Sequence, residues 1–199
     1  MKKKFAMGFV LVLTLSLAAQ GAAIESLIDW MRGGTFSYDF TLKTEGGGSV
    51  TEAKGKMAAQ GNKFSVYTES KANGADTKSR VISKDGDTYI VDEINRFVMK
   101  VSGAMAGQTT EGFGGMIADY SAGMKKTGEG EGVVNGKKLP YEAYEVDGNV
   151  SKFYMDGGQV YAIESEGSGY KTLMVITNAS KTVPAGAFNI PNDYTKMGF

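Results

Sequence analysis

From Val81 to Val101 the chain reads VISKDGDTYIVDEINRFVMKV, three short runs of alternating apolar and polar residues parted by Asp85-Gly86 and by Glu93–Asn95. A period of two sends successive side chains to opposite faces of a strand, and Asp-Gly pairs carry the tight-turn chemistry of hairpins. The pattern constrains most of the chain. Phe36, Tyr38, Phe40 and Leu42 alternate with Ser37, Asp39, Thr41 and Lys43, and further strands are expected around 50–60, 62–71, 77–84, 87–92 and 96–101. Alternation returns in LPYEAYEV, SKFYMD, GQVYAIESE and YKTLMVITNASKTV, with turns at Asn135-Gly136, Asp147-Gly148 and Asp156-Gly157-Gly158. The closing stretch VPAGAFNIPNDYTKM is an extended piece between Pro184 and Pro191 that packs Phe188 and Ile190. About nine or ten antiparallel strands make a mainly β (α+β) protein, with a strongly curved sheet forming an incomplete β-barrel.

Two segments depart from this period. In AIESLIDWMRG, Ile24, Leu27, Ile28 and Met31 fall on one helical face before the stop signal Gly33-Gly34, which predicts a short amphipathic helix. In SGAMAGQTTEGFGGMIADYSAGMKKTGEGEG, Phe113, Met116, Ile117 and Tyr120 are spaced for one face of a central lid helix. Gly112, Gly114 and Gly115 interrupt it, and each interior glycine costs a helix up to about 1 kcal/mol relative to Ala. That helix is therefore expected to be weak, able to lift as a gate, and flanked by a flexible linker over Gly128–Gly132.

The chain begins MKKKFAMGFVLVLTLSLAAQGAA, with three lysines ahead of an apolar stretch and then small residues. Charge, length and end chemistry are those of a secretory signal peptide, residues 1–23, with the cut after Ala23. The apolar run is short of the roughly 20 residues a membrane span needs, which argues against the alternative of an uncleaved anchor. Taking 23 residues from 199 leaves 176, residues 24–199, expected to be a single domain with one core. With the three leader lysines gone, 19 basic and 22 acidic residues remain, a formal net charge of −3. This balance gives no basic face for nucleic acid. No transmembrane segment is expected in the mature chain, and the compartment is periplasmic or secreted, in a bacterium.

Cysteine and histidine are both absent. Without them the usual nucleophile-base pairs, thiolate or imidazole zinc sites, disulfides and a lipidated cysteine are excluded. No cofactor is expected, and no metal. Asp85 and Asp87 flank a glycine in a way that could suggest calcium, but a hairpin tip accounts for them. In GEGEGVVNGKK the glycine spacing and Lys138 do not fit a phosphate loop. The Asn-x-Ser sequences at Asn149 and Asn178 matter only in a glycosylating host. What remains is apolar: Tyr38, Phe40, Phe64, Tyr89, Phe97 and Phe153 on strands, and Phe113, Met116, Ile117 and Tyr120 on the lid, form the candidate ligand-binding set. An ordinary core explains most such residues. One curved sheet with a single weak helix, however, need not fill its own concave face, and an unfilled apolar concavity is a ligand site.

The order of elements resembles the periplasmic lipoprotein carriers, the LolA-like superfamily. The resemblance rests on the leading helix, KGKMAAQGNKFSVYTES, SRVISKDGDTYIVDEINRFVMKV, the central helix, VVNGKKLPYEAYEV and the proline-bracketed end. It implies an eleven-stranded half-barrel whose helices lid a cavity for acyl chains. In the carriers an early-strand arginine latches the lid; the matching place here is Gln60, so the resemblance extends to the cavity and not to the latch. The expected function is non-enzymatic: a carrier or binding protein for acyl chains, a lipidated protein or another hydrophobic ligand in the cell envelope. The alternative is an envelope scaffold whose open sheet edge docks a protein partner without lipid, and a carboxylate hydrolase is a third.

Overall fold

The computed structural model describes residues 22–32, 34–72, 75–101, 124–146 and 148–198. Among these residues one helix, α1 (Ala22–Arg32), precedes twelve strands: β1 (Thr35–Gly46), β2 (Ser49–Gln60), β3 (Lys63–Ala72), β4 (Ala75–Lys84), β5 (Asp87–Asp92), β6 (Phe97–Val101), β7 (Lys125–Val134), β8 (Lys137–Val146), β9 (Asn149–Asp156), β10 (Gln159–Gly167), β11 (Tyr170–Ser180) and β12 (Thr195–Met197). They form one sheet in the order β12-β6-β5-β4-β3-β2-β1-β11-β10-β9-β8-β7. The sheet is not closed, because β12 and β7 end the order without pairing to each other. This is the incomplete barrel expected from the alternation.

The turns explain the meander. Asp85 and Gly86 both have positive φ, as do Asn135 and Gly136, which is the primed-turn geometry whose twist matches that of paired strands. The sequence reading differs from the structure at two strands. Gly128–Gly132, expected to be a flexible linker, lies in the middle of β7 and pairs in register with β8, Gly130 opposite Tyr141 and Gly132 opposite Leu139. These glycines make room for rings: a Cβ on Gly130 would come within 2.9 Å of Tyr141, and one on Gly132 within 2.8 Å of Tyr154. The second is β12, which pairs parallel to β6 and brings the chain end back to the sheet edge.

Register partners share a face, so the pairings sort every strand residue. Phe36, Tyr38 and Phe40 stand opposite Ala59, Met57 and Gly55 of β2, and α1 packs on this side, against β10, β1 and β9. Leu27 and Met31 of the helix are buried there with Phe36, Met57, Tyr144, Phe153, Ile163 and Met174. α1 is tied at both ends. The Ala23 N–H donates to Glu142 Oε2 at 3.0 Å, a carboxylate where the helix dipole favours one. At the other end the Lys181 ammonium donates to the carbonyls of Asp29 and Trp30.

The opposite, far face has its own cover at the other end of the sheet. Ile82, Tyr89, Val91 and Val98 are buried against Phe188, Ile190 and Tyr194 of the C-terminal segment. Tyr194 Oη donates to Glu93 at 2.7 Å, Glu93 pairs with Arg80 at 2.8 Å, and Arg96 pairs with Asp193. Phe188 and Ile190 thus pack as the proline-bracketed sequence predicted, on the face away from α1. No described helix is long and apolar enough to cross a membrane.

Candidate functional site

On the α1 side, two rows of side chains run across the sheet from β1 to β6. One contains Phe36, Ala59, Phe64, Ser83, Thr88 and Val101; the next contains Tyr38, Met57, Val66, Val81, Ile90 and Met99. Neither row carries a charge. Where the rows cross β1 and β2 they are closed by the helix, but on β3–β6 Phe64, Val66, Val81, Ile90, Met99 and Val101 are only half-buried. Val81, Ile90, Met99 and Val101 belong to no buried cluster. Among the described residues the sheet therefore carries an incompletely buried apolar stretch several strands wide, and an apolar surface of that kind marks an interaction or ligand site.

An aromatic ladder borders this stretch. Trp30 of α1 lies 4.9 Å from Phe36 and 5.8 Å from Tyr38, and Tyr38 lies 6.2 Å from Phe40 in an edge contact. The Tyr38 hydroxyl meets the Met57 thioether, at 2.8 Å, and burial pushes its pKa well above the ordinary tyrosine value. Phe40 sits over Gly55, where a Cβ would come within 2.5 Å of the ring. Gly55 was not singled out from the sequence, although a lone glycine inside a strand does signal close approach.

Of the residues expected to bind ligand, Tyr38, Phe40, Phe64, Phe97 and Phe153 lie on the α1 side. Phe153 is 1% exposed, sealed under the helix in an edge contact with Tyr144 at 5.6 Å, so it is core. Tyr89 lies on the far face, with its hydroxyl on Asp87 at 3.2 Å. Phe113, Met116, Ile117 and Tyr120, and the glycines Gly112, Gly114 and Gly115 of the expected gate, lie outside the described residues. Gln60, the latch position, has the far-face register and is exposed. It borders an open polar cleft of about 290 Å³ with Lys63, Lys84, Asp85 and Asn189, away from the apolar rows.

The polar node at the head of α1 was not foreseen. Besides the Ala23 N–H, Glu142 accepts from Tyr144 Oη at 2.7 Å and from Lys126 Nζ at 2.8 Å. Burial alone would raise the Glu142 carboxyl, but hydrogen bonds from Lys126, Tyr144 and Ala23 outweigh it and hold it below the usual carboxylate range. The node anchors the helix over one half of the sheet. Among the described residues no cluster of acidic side chains could hold a metal ion.

No family model matches the sequence, and no curated protein matches it. Solved structures do match. An uncharacterized conserved protein from Thermus thermophilus aligns over 87% of this chain and 96% of its own, with 9% identity and a TM-score of 0.53. A LolA superfamily protein from Nitrosomonas europaea aligns over 84% and 98%, with 10% identity and a TM-score of 0.45. The lipoprotein LppX from Mycobacterium tuberculosis aligns over 81% and 94%, with 9% identity and a TM-score of 0.49. At these identities the likeness is one of fold, and the chain is distantly similar in architecture to these proteins.

Proposed function

We propose that the protein is an exported, non-enzymatic binding protein that holds an acyl chain or another hydrophobic ligand on the α1 side of β3–β6. The observation that carries this reading is the change of cover along the sheet. Beyond the reach of α1 the C-terminal segment packs on the far face, so among the described residues the uncharged rows through Val66, Val81, Ile90 and Met99 are only partly buried. Tyr38, Phe40 and Phe64 would border the bound chain, and each methylene covered contributes about 0.8 kcal/mol. Protein purified from the envelope without detergent and weighed intact under native conditions should carry a bound hydrophobic species. Ligand-free protein that also fails to bind fluorescent fatty acids would contradict the reading.

Export follows from the leader, and its cut is open to the same mass measurement. Ala23 is 0% exposed with its N–H on Glu142, which favours retention of Ala23. Small residues stand at Ala19 and Gly21 as well as at Gly21 and Ala23, so a cut after Gly21 meets the same chemistry. The mature chain should begin at Ala22; one beginning at Ile24 would overturn this refinement. The scaffold reading rests on the edge of β7, ten residues with no strand beyond them among the described residues, which could accept a partner strand. A stoichiometric protein cross-linked to β7, with no lipid bound, would favour it.

A further inference from the structure

Hydroxyl residues face each other directly across neighbouring strands at several places, and four of these pairs are Thr44 and Thr172, Ser70 and Thr77, Ser151 and Ser165, and Ser83 and Thr88. Three of the four satisfy themselves, with oxygens 3.4, 2.7 and 2.8 Å apart. The fourth does not. Ser83 and Thr88 are 3% and 4% exposed, the most deeply buried of these four pairs, and neither hydroxyl has a hydrogen-bond partner among the described residues. A buried hydroxyl without a partner costs about 1–3 kcal/mol, so two side by side call for an explanation.

Their position supplies one. The pair sits in the row between Phe64 and Val101, on the α1 side, and one step along the same strands Val81 and Ile90 are half-exposed. The apolar stretch is thus bordered by two buried hydroxyl donors in a row that carries no charge. A carboxylate or phosphate would be stranded there, since burying an uncompensated anion is prohibitive. A carbonyl oxygen fits, because it has two lone pairs and each hydroxyl has one proton to donate. We infer that Ser83 and Thr88 form a polar subsite for the carbonyl of a neutral acyl ester, with its hydrocarbon chain along Val81, Ile90, Val66 and Met99. This rests on the proposed ligand-binding reading and narrows it to a ligand class.

The test compares 1-monolauroylglycerol with 1-O-dodecylglycerol, which has the same chain length and headgroup but lacks the carbonyl. Each is titrated against N-phenyl-1-naphthylamine bound to the full mature chain. The parent should bind the ester about tenfold more tightly than the ether, the return expected from two neutral hydrogen bonds. Ser83→Ala with Thr88→Val should abolish the difference while leaving ether affinity unchanged, and thermal melting should show that the variant folds. Equal binding of ester and ether by the parent would overturn the subsite and leave the apolar site standing. So would an ester preference that survives in the double variant, as expected if water alone satisfies the pair. A parent that binds neither the naphthylamine nor either lipid would overturn the ligand-binding reading itself.

Discussion

The two halves of the α1-side face are built from the same alternation yet differ in what covers them. Over β1 and β9–β11 the helix seals Phe36, Phe153, Ile163 and Met174. Over β4–β6 the sealed residues are Ile82, Tyr89, Val91 and Val98 on the opposite face, beneath the C-terminal segment, while Val81, Ile90 and Met99 stay half-exposed. An apolar residue on a strand is therefore core or surface according to which face its neighbours cover. A single sheet can accordingly hold a stable core and an open apolar surface side by side. The first half supports the fold, and the second is free to do something else.

Truncation should break the symmetry of the two halves most clearly. Phe153→Ala removes a ring sealed under α1 and should cost about 3–5 kcal/mol. Ile90→Ala, on the half-exposed stretch, should cost about 1 kcal/mol. Urea denaturation of both variants gives the comparison, and similar losses would mean that β4–β6 is covered as fully as β1 and β9. Next in size is Gly132→Ala on β7. A flexible linker or an ordinary strand would gain from losing a glycine, by about 0.5–1 kcal/mol. Here the new Cβ meets the Tyr154 ring of a buried side chain, so a loss of about 1–3 kcal/mol is expected. A gain in melting temperature would show that the ring does not lie where the structure has it.

The smallest effect belongs to the anchor of the sealed half. Because Glu142 is held below its ordinary value near 4.5, its contribution is complete above that pH and is lost as pH falls through the lower, folded value. The parent should therefore lose stability on acidification through this window, and Glu142→Gln should flatten that part of the profile. Unfolding midpoints measured between neutral pH and about pH 3 would check it. An unchanged slope would mean that the carboxylate does not hold the head of α1.

Much of this was legible in the residues. On β1 the polar residues Ser37, Asp39, Thr41 and Lys43 mark one face without ambiguity, so Tyr38 and Phe40 could be assigned to the other from the sequence. The turns at Asp85-Gly86 and Asn135-Gly136 were equally plain, because few residues besides Gly, Asn and Asp accept positive φ. Tyr89 was misleading for a physical reason. β5 and β6 are apolar on both faces, Tyr89 and Val91 on one and Ile90 on the other, and a period of two cannot say which face meets which cover. β7 was hidden because KTGEGEG has no apolar face of its own, Gly130 and Gly132 being spaces for tyrosines supplied by β8 and β9. The Ser83–Thr88 pair was invisible for a similar reason. Two hydroxyls at a hairpin tip look solvated until the register shows them opposed and buried.

The central claim, that the half-open face of β3–β6 holds an acyl chain, is tested most directly by photo-cross-linking the purified mature protein. The probe is a lauroyl ester carrying a diazirine on its chain, and the adducts are mapped by mass spectrometry. Adducts should concentrate on Val66, Val81, Ile90 and Met99. Adducts concentrated instead on Tyr141, Tyr161 or Leu173, the apolar cluster on the far face of β8–β11, would contradict the account.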